Sequence, residues 1–178
     1  MISIRPGTVR DAAAIAHVHV ESWRTTYTGL VPDAYLAGLD ESLRAKLWSE
    51  WLNGETTVMV AEGSEGIVGF AHAGRIRESV KMCDAELYSI YLLSAAQRKG
   101  IGSELLKSVG ASLLRQEFKS MAVWVLERNS SRRFYERAGA KLAISKVIEI
   151  GGAKSMEVAY YWPELESLVH SLGATPSR

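Results

Sequence analysis

Between residues 94 and 103 the chain reads Ser94-Ala95-Ala96-Gln97-Arg98-Lys99-Gly100-Ile101-Gly102-Ser103, just ahead of an apolar repeat at helical spacing. A loop that runs into a helix start presents backbone N–H groups without carbonyl partners, together with the positive end of the helix dipole. Both favour a bound phosphate, and glycine lets the backbone approach its oxygens closely. Arg98 and Lys99 add positive charge. A Walker loop requires Gly-Lys-Ser/Thr, whereas Lys99 precedes Gly100. A dinucleotide fingerprint requires a third glycine where Leu105 stands, and an all-parallel strand–helix–strand unit around it. A tight strand-to-helix turn and a phosphate cradle of another kind both remain open. Metal chemistry finds no support: His17 and His19 lie two apart on different helix faces, while His72 and His170 are isolated. Cys83 has no base paired with it in the sequence.

These residues need elements to hold them. Ile2 to Arg5 reads as a short strand closed by Pro6-Gly7, after which Thr8 or Asp11 caps a helix carrying Ala12, Ile15, Ala16, His19 and Val20 inward. Pro32 opens a short helix, and Leu43, Leu47, Trp48 and Trp51 mark a third over 41–52. The period then changes. Residues 56–61 and 67–73 are strands around a glycine turn, and 84–93 is the third strand of the meander. Strict alternation along it sets Leu87, Ser89, Tyr91 and Leu93 on one face and Glu86, Tyr88, Ile90 and Leu92 on the other. A helix is predicted over 102–118, a strand over 121–126 and a short helix over 130–137 ended by Gly139. Strands 141–150 and 155–161 close a hairpin around Gly151-Gly152, before a terminal helix over 163–172 and a frayed tail over 173–178.

The 178 residues suit one domain, with a core over about 2–162 and a C-terminal helix and tail over 163–178. A net charge of +1 argues against a nucleic-acid or membrane surface as partner. The single cysteine fits a reducing, cytoplasmic setting, and no apolar run reaches the ~20 residues of a membrane span.

Around the loop, a second set of residues narrows the choice. Gln97, Gly100 and Gly102 match a Gln/Arg-x-x-Gly-x-Gly pattern, preceded by Glu86-Leu87-Tyr88-Ser89-Ile90-Tyr91-Leu92-Leu93. About thirty residues on, Asn129-Ser130-Ser131-Arg132-Arg133-Phe134-Tyr135-Glu136 leads to Gly139, in the form Asn-x-x-Arg-x-Phe-Tyr-Glu-x-x-Gly. Both resemble the cofactor segments of the GNAT superfamily of N-acetyltransferases, and Ile4-Arg5-Pro6, Ser22-Trp23-Arg24 and Tyr27-x-Gly29 resemble one of its branches. Ser94 departs from a frequent proline, and Ala140 from an aromatic or glycine. The resemblance implies an α/β fold: a mixed, mostly antiparallel sheet of six to seven strands flanked by helices, with one splayed parallel strand pair. It implies acetyl transfer from acetyl-CoA, without a metal, to a primary amine in a ternary complex, and often a homodimer. By position, the backbone of Ile90, Leu92 and Leu93 would pair with the pantetheine arm. The amides from Arg98 through Lys99, Gly100, Ile101 and Gly102 to Ser103 would hold the pyrophosphate, Asn129 a pantetheine amide, and Phe134 the thiol end.

The reaction sets its own demands. Only a free amine attacks a thioester, and the departing thiolate leaves more easily beside an acid. Tyr135, matched in the second motif, is the candidate acid, and Glu86 the candidate base, directly or through water, on the face assigned to Ile90 and Leu92. Trp23, Tyr27 and Tyr88 are candidate walls for the acceptor, which favours a small-molecule amine. Acetylation of a protein N-terminus or lysine, and a non-catalytic CoA-binding module, are the competing readings.

Overall fold

The computed structural model describes residues 1–173. The tail positions expected over 174–178 lie outside the described residues. Seven strands form one sheet: β1 (Ser3–Pro6), β2 (Thr57–Gly63), β3 (Gly66–Arg75), β4 (Ala85–Leu92), β5 (Met121–Leu126), β6 (Lys141–Ile150) and β7 (Ala153–Trp162), in the order β1-β2-β3-β4-β5-β7-β6. The helices are α1 (Ala12–Thr26), α2 (Asp33–Ala37), α3 (Glu41–Leu52), α4 (Ile101–Arg115), α5 (Arg132–Arg137) and α6 (Leu165–Gly173). Every neighbouring pair is antiparallel except β4 and β5. The mixed, mostly antiparallel architecture expected of the chain is therefore the one it adopts.

Local chemistry explains the turns. Gly151 and Gly152 both take positive φ, 58° and 79°, as a two-residue hairpin between twisted strands requires. At the start of α1, Asp11 accepts from the Thr8 N–H and hydroxyl and pairs with Arg5 at 2.8 Å. The Arg5 guanidinium holds the Asp11 carboxyl down at about 2.

Helices cover both sheet faces. On one, α4 brings Leu105, Leu106, Val109 and Leu113 against Met59, Ala71, Leu87 and Val123, with Tyr135 of α5 and Leu165 of α6 in the same core. On the other, Ile15, Ala16 and Val18 of α1 and Trp48 of α3 meet Val58, Val60 and Phe70.

Two irregularities shape the centre. Ala73 pairs with Leu87 and His72 with Ser89, so Tyr88 is an extra residue in β4, a β-bulge. Strict alternation fails there. Ala85, Leu87, Ile90 and Leu92 all pack on the α4 core, whereas Tyr91 and Leu93 join Phe70 on the α1 side. Glu86, between Ala85 and Leu87, thus projects to the face opposite Ile90 and Leu92, contrary to the expectation that all three share one.

The second irregularity is the splay. Only Ala85, Glu86 and Leu87 pair with β5, opposite Met121, Ala122 and Val123. The closed end is fastened by Asp84, whose carboxylate accepts the N–H groups of Lys119 and Ser120 at 2.9 Å each. Beyond Leu87 the two strands diverge.

β4 is held to β3 by a close approach at Gly69, where a Cβ would stand 2.2 Å from Leu92 Cδ2 and 2.9 Å from the Tyr91 carbonyl oxygen. Gly69→Ala should therefore destabilise the fold by about 1–3 kcal/mol through overpacking. The measurement is a lower urea midpoint at unchanged slope; an unmoved midpoint would show that β4 yields freely.

Candidate active site

The diverging arms of β4 and β5 enclose a cleft of about 730 Å³. Its walls include Ile90, Tyr91 and Leu92 of β4 and Val123, Trp124 and Val125 of β5. One end is closed by the loop before α4, through Gln97, Arg98, Gly100, Gly102 and Ser103. Asn129, Phe134 and Tyr135 close the side beneath α5, and Tyr27 reaches in from just past the C-terminal end of α1.

Backbone geometry explains how the loop could hold an anion. Arg98 and Gly100 both adopt left-handed φ, 57° and 80°, which turns successive N–H groups inward. The Glu104 N–H donates to the Gly100 carbonyl, so the amides of Ile101, Gly102 and Ser103 have no carbonyl partner within the helix. A Cβ at Gly102 would stand 3.5 Å from Phe134 and 3.6 Å from Leu92, so that glycine is not demanded by internal packing. Ile101 divides its roles: its side chain is in the α4 core, leaving only its amide to the loop.

The edge of β4 is partly committed. The Leu93 N–H donates to the Val68 carbonyl at 2.9 Å, so Leu93 faces β3 and does not offer that donor to the splay. By alternation the polar backbone groups of Ile90 and Leu92 face the gap. The Leu92 carbonyl accepts from Gln97 Nε2 at 3.1 Å, a bond that ties the glycine loop to the strand and leaves the Leu92 N–H free for a ligand. Asn129 is buried, and its Oδ1 accepts the Ser131 N–H at 2.9 Å, shaping the turn into α5. Its amide nitrogen is left to donate into the cleft.

Tyr135 is 6% exposed, with its ring 5.4 Å from Phe134 and 6.1 Å from Trp162. Burial pushes its phenol well above the ordinary value, so the hydroxyl keeps its proton. It makes no hydrogen bond among the described residues.

Glu86 is placed differently from expectation. It is 2% exposed and does not line the cleft. Its carboxylate accepts from the Arg77 backbone N–H at 3.1 Å, from Arg77 Nε at 3.3 Å, and from Arg77 Nη2. Arg77 in turn lies over the Tyr88 ring, 4.3 Å from its centroid.

The aromatic candidates do gather. Tyr88 and Tyr27 line the cleft, and Trp23 stacks behind Tyr27 at 4.4 Å. The Tyr27 hydroxyl meets that of Tyr91 at 3.2 Å. Tyr91 and Trp124 were missed by sequence reasoning. The bulge turned Tyr91 toward α1, and Trp124 opens the second resembling segment but precedes its patterned positions, which begin at Asn129.

A family model described as an acetyltransferase (GNAT) domain matches residues 54–139. The chain is 41% identical over 170 residues to the uncharacterized N-acetyltransferase YuaI of Bacillus subtilis (strain 168), covering 94% of this chain and 96% of that protein. In fold it is similar to the PaiA N-acetyltransferase of Thermoplasma acidophilum in complex with coenzyme A, with a TM-score of 0.67 and 22% identity over 88% of this chain and 98% of that one. It is also similar to YncA of Salmonella typhimurium with its cofactor acetyl-CoA, with a TM-score of 0.70 and 20% identity over 92% and 94%. The splayed β4–β5 pair, the glycine loop at the start of α4 and these likenesses agree, and the chain belongs to the GNAT family of acetyltransferases.

Proposed function

We propose that the chain transfers an acetyl group from acetyl-CoA to a primary amine of a small molecule, by direct transfer within a ternary complex. The observation that carries this reading is that one cleft collects the free N–H edge of Leu92, the inward amides of the glycine loop and the protonated hydroxyl of Tyr135. Related proteins bound to coenzyme A or acetyl-CoA support the donor. When bound, that donor supplies a thioester carbonyl. The chain's part is to hold it and to manage protons.

In this reading the backbone of Ile90 and Leu92 pairs with the pantetheine arm as an added strand would. The amides from Arg98 to Ser103 receive the pyrophosphate, and Asn129 Nδ2 donates to the arm. Phe134, beside Gly102, walls the thiol end. Tyr135 gives its proton to the departing sulfur. Glu86 is a base only if Arg77 releases it. With that pair closed, its part is to hold Arg77 against Tyr88. Trp23, Tyr27 and Tyr88 bound the acceptor, and that enclosure favours a small molecule over a protein chain. The single cysteine supports a cytoplasmic setting.

Steady-state release of free thiol from acetyl-CoA across a panel of amines tests the proposal. Amine-dependent release supports it. Tight CoA binding without release on any acceptor would replace it with a CoA-binding module.

A further inference from the structure

Acetyl transfer to an uncharged amine needs no net base. The nitrogen bonds to the thioester carbonyl carbon, the carbon–sulfur bond breaks, and the thiolate takes the Tyr135 proton. The phenolate then recovers a proton from the nitrogen, which becomes acidic as it is acylated. A separate base is required only when the amine arrives as an ammonium ion.

The groups around the cleft bear on which form enters. Among the described residues no Asp or Glu side chain lines it. Its ionisable lining consists of the phenols of Tyr27, Tyr88, Tyr91 and Tyr135 and the guanidinium groups of Arg98 and Arg137. Burial raises all four phenols, so each is neutral near pH 7.

The carboxylates whose charges act on the aromatic candidates, Glu86 on Tyr88 and Glu157 on Tyr27, are already engaged. Glu86 is buried under Arg77. Glu157 of β7, opposite Leu126, lies 3.9 Å from Lys146 of β6, which also pairs with Glu78. Burial raises the Glu157 carboxyl, which further weakens it as a counter-ion. His19, against Tyr91, and His72, against Tyr88, are buried and held at about 3 and about 4 by desolvation. Neither can keep a proton taken from an amine. An ammonium ion in this cleft would find phenols and two guanidinium groups but no carboxylate among the lining residues, so no counter-ion there offsets the loss of its hydration.

We infer that the acceptor enters as the uncharged amine, and that the protein selects weakly basic amines of the α-amino kind over alkylammonium ions of the lysine side-chain kind. This rests on the acyl-transfer reading above. At pH 7 about a tenth of an α-amine is uncharged, against about 0.04% of a lysine-type amine. The selection is therefore worth about two orders of magnitude in available substrate. Greater nucleophilicity of the more basic amine opposes it, so the position of the pH profile is the cleaner readout.

The experiment measures kcat/KM for thiol release from about pH 6 to about pH 9.5, with alanine amide and Nα-acetyl-lysine amide as acceptors at saturating acetyl-CoA. For alanine amide it should rise tenfold per pH unit and level near pH 8; for the lysine derivative it should still be rising at the upper end. Glu157→Gln should leave both profiles in position. A midpoint common to both acceptors would overturn the inference and restore Glu86 or another protein group as base. A midpoint displaced in Glu157→Gln would overturn it in favour of Glu157. Turnover of the lysine derivative alone would overturn the selectivity. Failure of every amine in the panel to release thiol would instead remove the acyl-transfer reading itself, and the inference with it.

Discussion

Tyr135→Phe should lower kcat by about 100- to 10,000-fold, the span of a typical acid–base contribution, while the fold and the KM for acetyl-CoA change little. Each half of that expectation has its own ground. The phenol is buried and its proton is tightly held, so at neutral pH the resting hydroxyl is a donor. Phenylalanine keeps the ring contacts to Phe134, Tyr160 and Trp162 and removes one oxygen that has no hydrogen-bond partner among the described residues. No internal bond is lost, so the stability change should stay within about 0.5 kcal/mol. A core aromatic would show the same packing, and the two roles separate in the kinetics. If Tyr135 only fills space, phenylalanine is nearly silent in kcat. If it protonates the departing sulfur, kcat collapses with KM and thermal midpoint in place. An unchanged kcat would take Tyr135 out of the acid role.

How far the sequence could lead is decided by two features of β4. The glycine loop was readable because its function depends on local chemistry: Gly100 in left-handed φ and three unpartnered amides follow from residues 97–103 alone. Asn129 and Tyr135 came with the short helix that the first precedes and the second belongs to. The face of Glu86 was not readable. Alternation predicts a face only while the register is unbroken, and the bulge at Tyr88 arises from pairing with β3, a partner some fifteen residues away. One extra residue exchanged the faces of everything after it. That put Ile90 and Leu92 on the α4 core and left Glu86 on the other side, against an arginine in the turn after β3. Arg77 carried no motif, and its meaning comes entirely from where that turn folds back. Trp124 faces the cleft because β5 diverges from β4 after three residue pairs, again a tertiary fact.

The buried histidines make the fold acid-labile in a defined window. His19 packs among Trp23, Trp48, Phe70 and Tyr91, accepting a bond from Trp48 Nε1 at 3.3 Å, and His72 lies between Trp48, Trp51 and Tyr88. Desolvation holds them at about 3 and about 4. In the unfolded chain each returns to an ordinary value near ~6.5. Between those limits the unfolded state binds more protons, so stability is full above about pH 7 and falls as the pH drops through 6.5 toward 4. At pH 5 each histidine costs about 2 kcal/mol, ~4 kcal/mol together, a large part of the 5–15 kcal/mol typical of a domain. Urea unfolding at a series of pH values should show that loss. The carboxylate of Asp11, held at about 2 by Arg5, contributes its own dependence only below the range of an ordinary aspartate. His72→Gln separates the causes. Whatever it does to absolute stability, it should halve the slope between about pH 5 and 6.5. A slope unaltered by that change would show that other groups drive the acid transition.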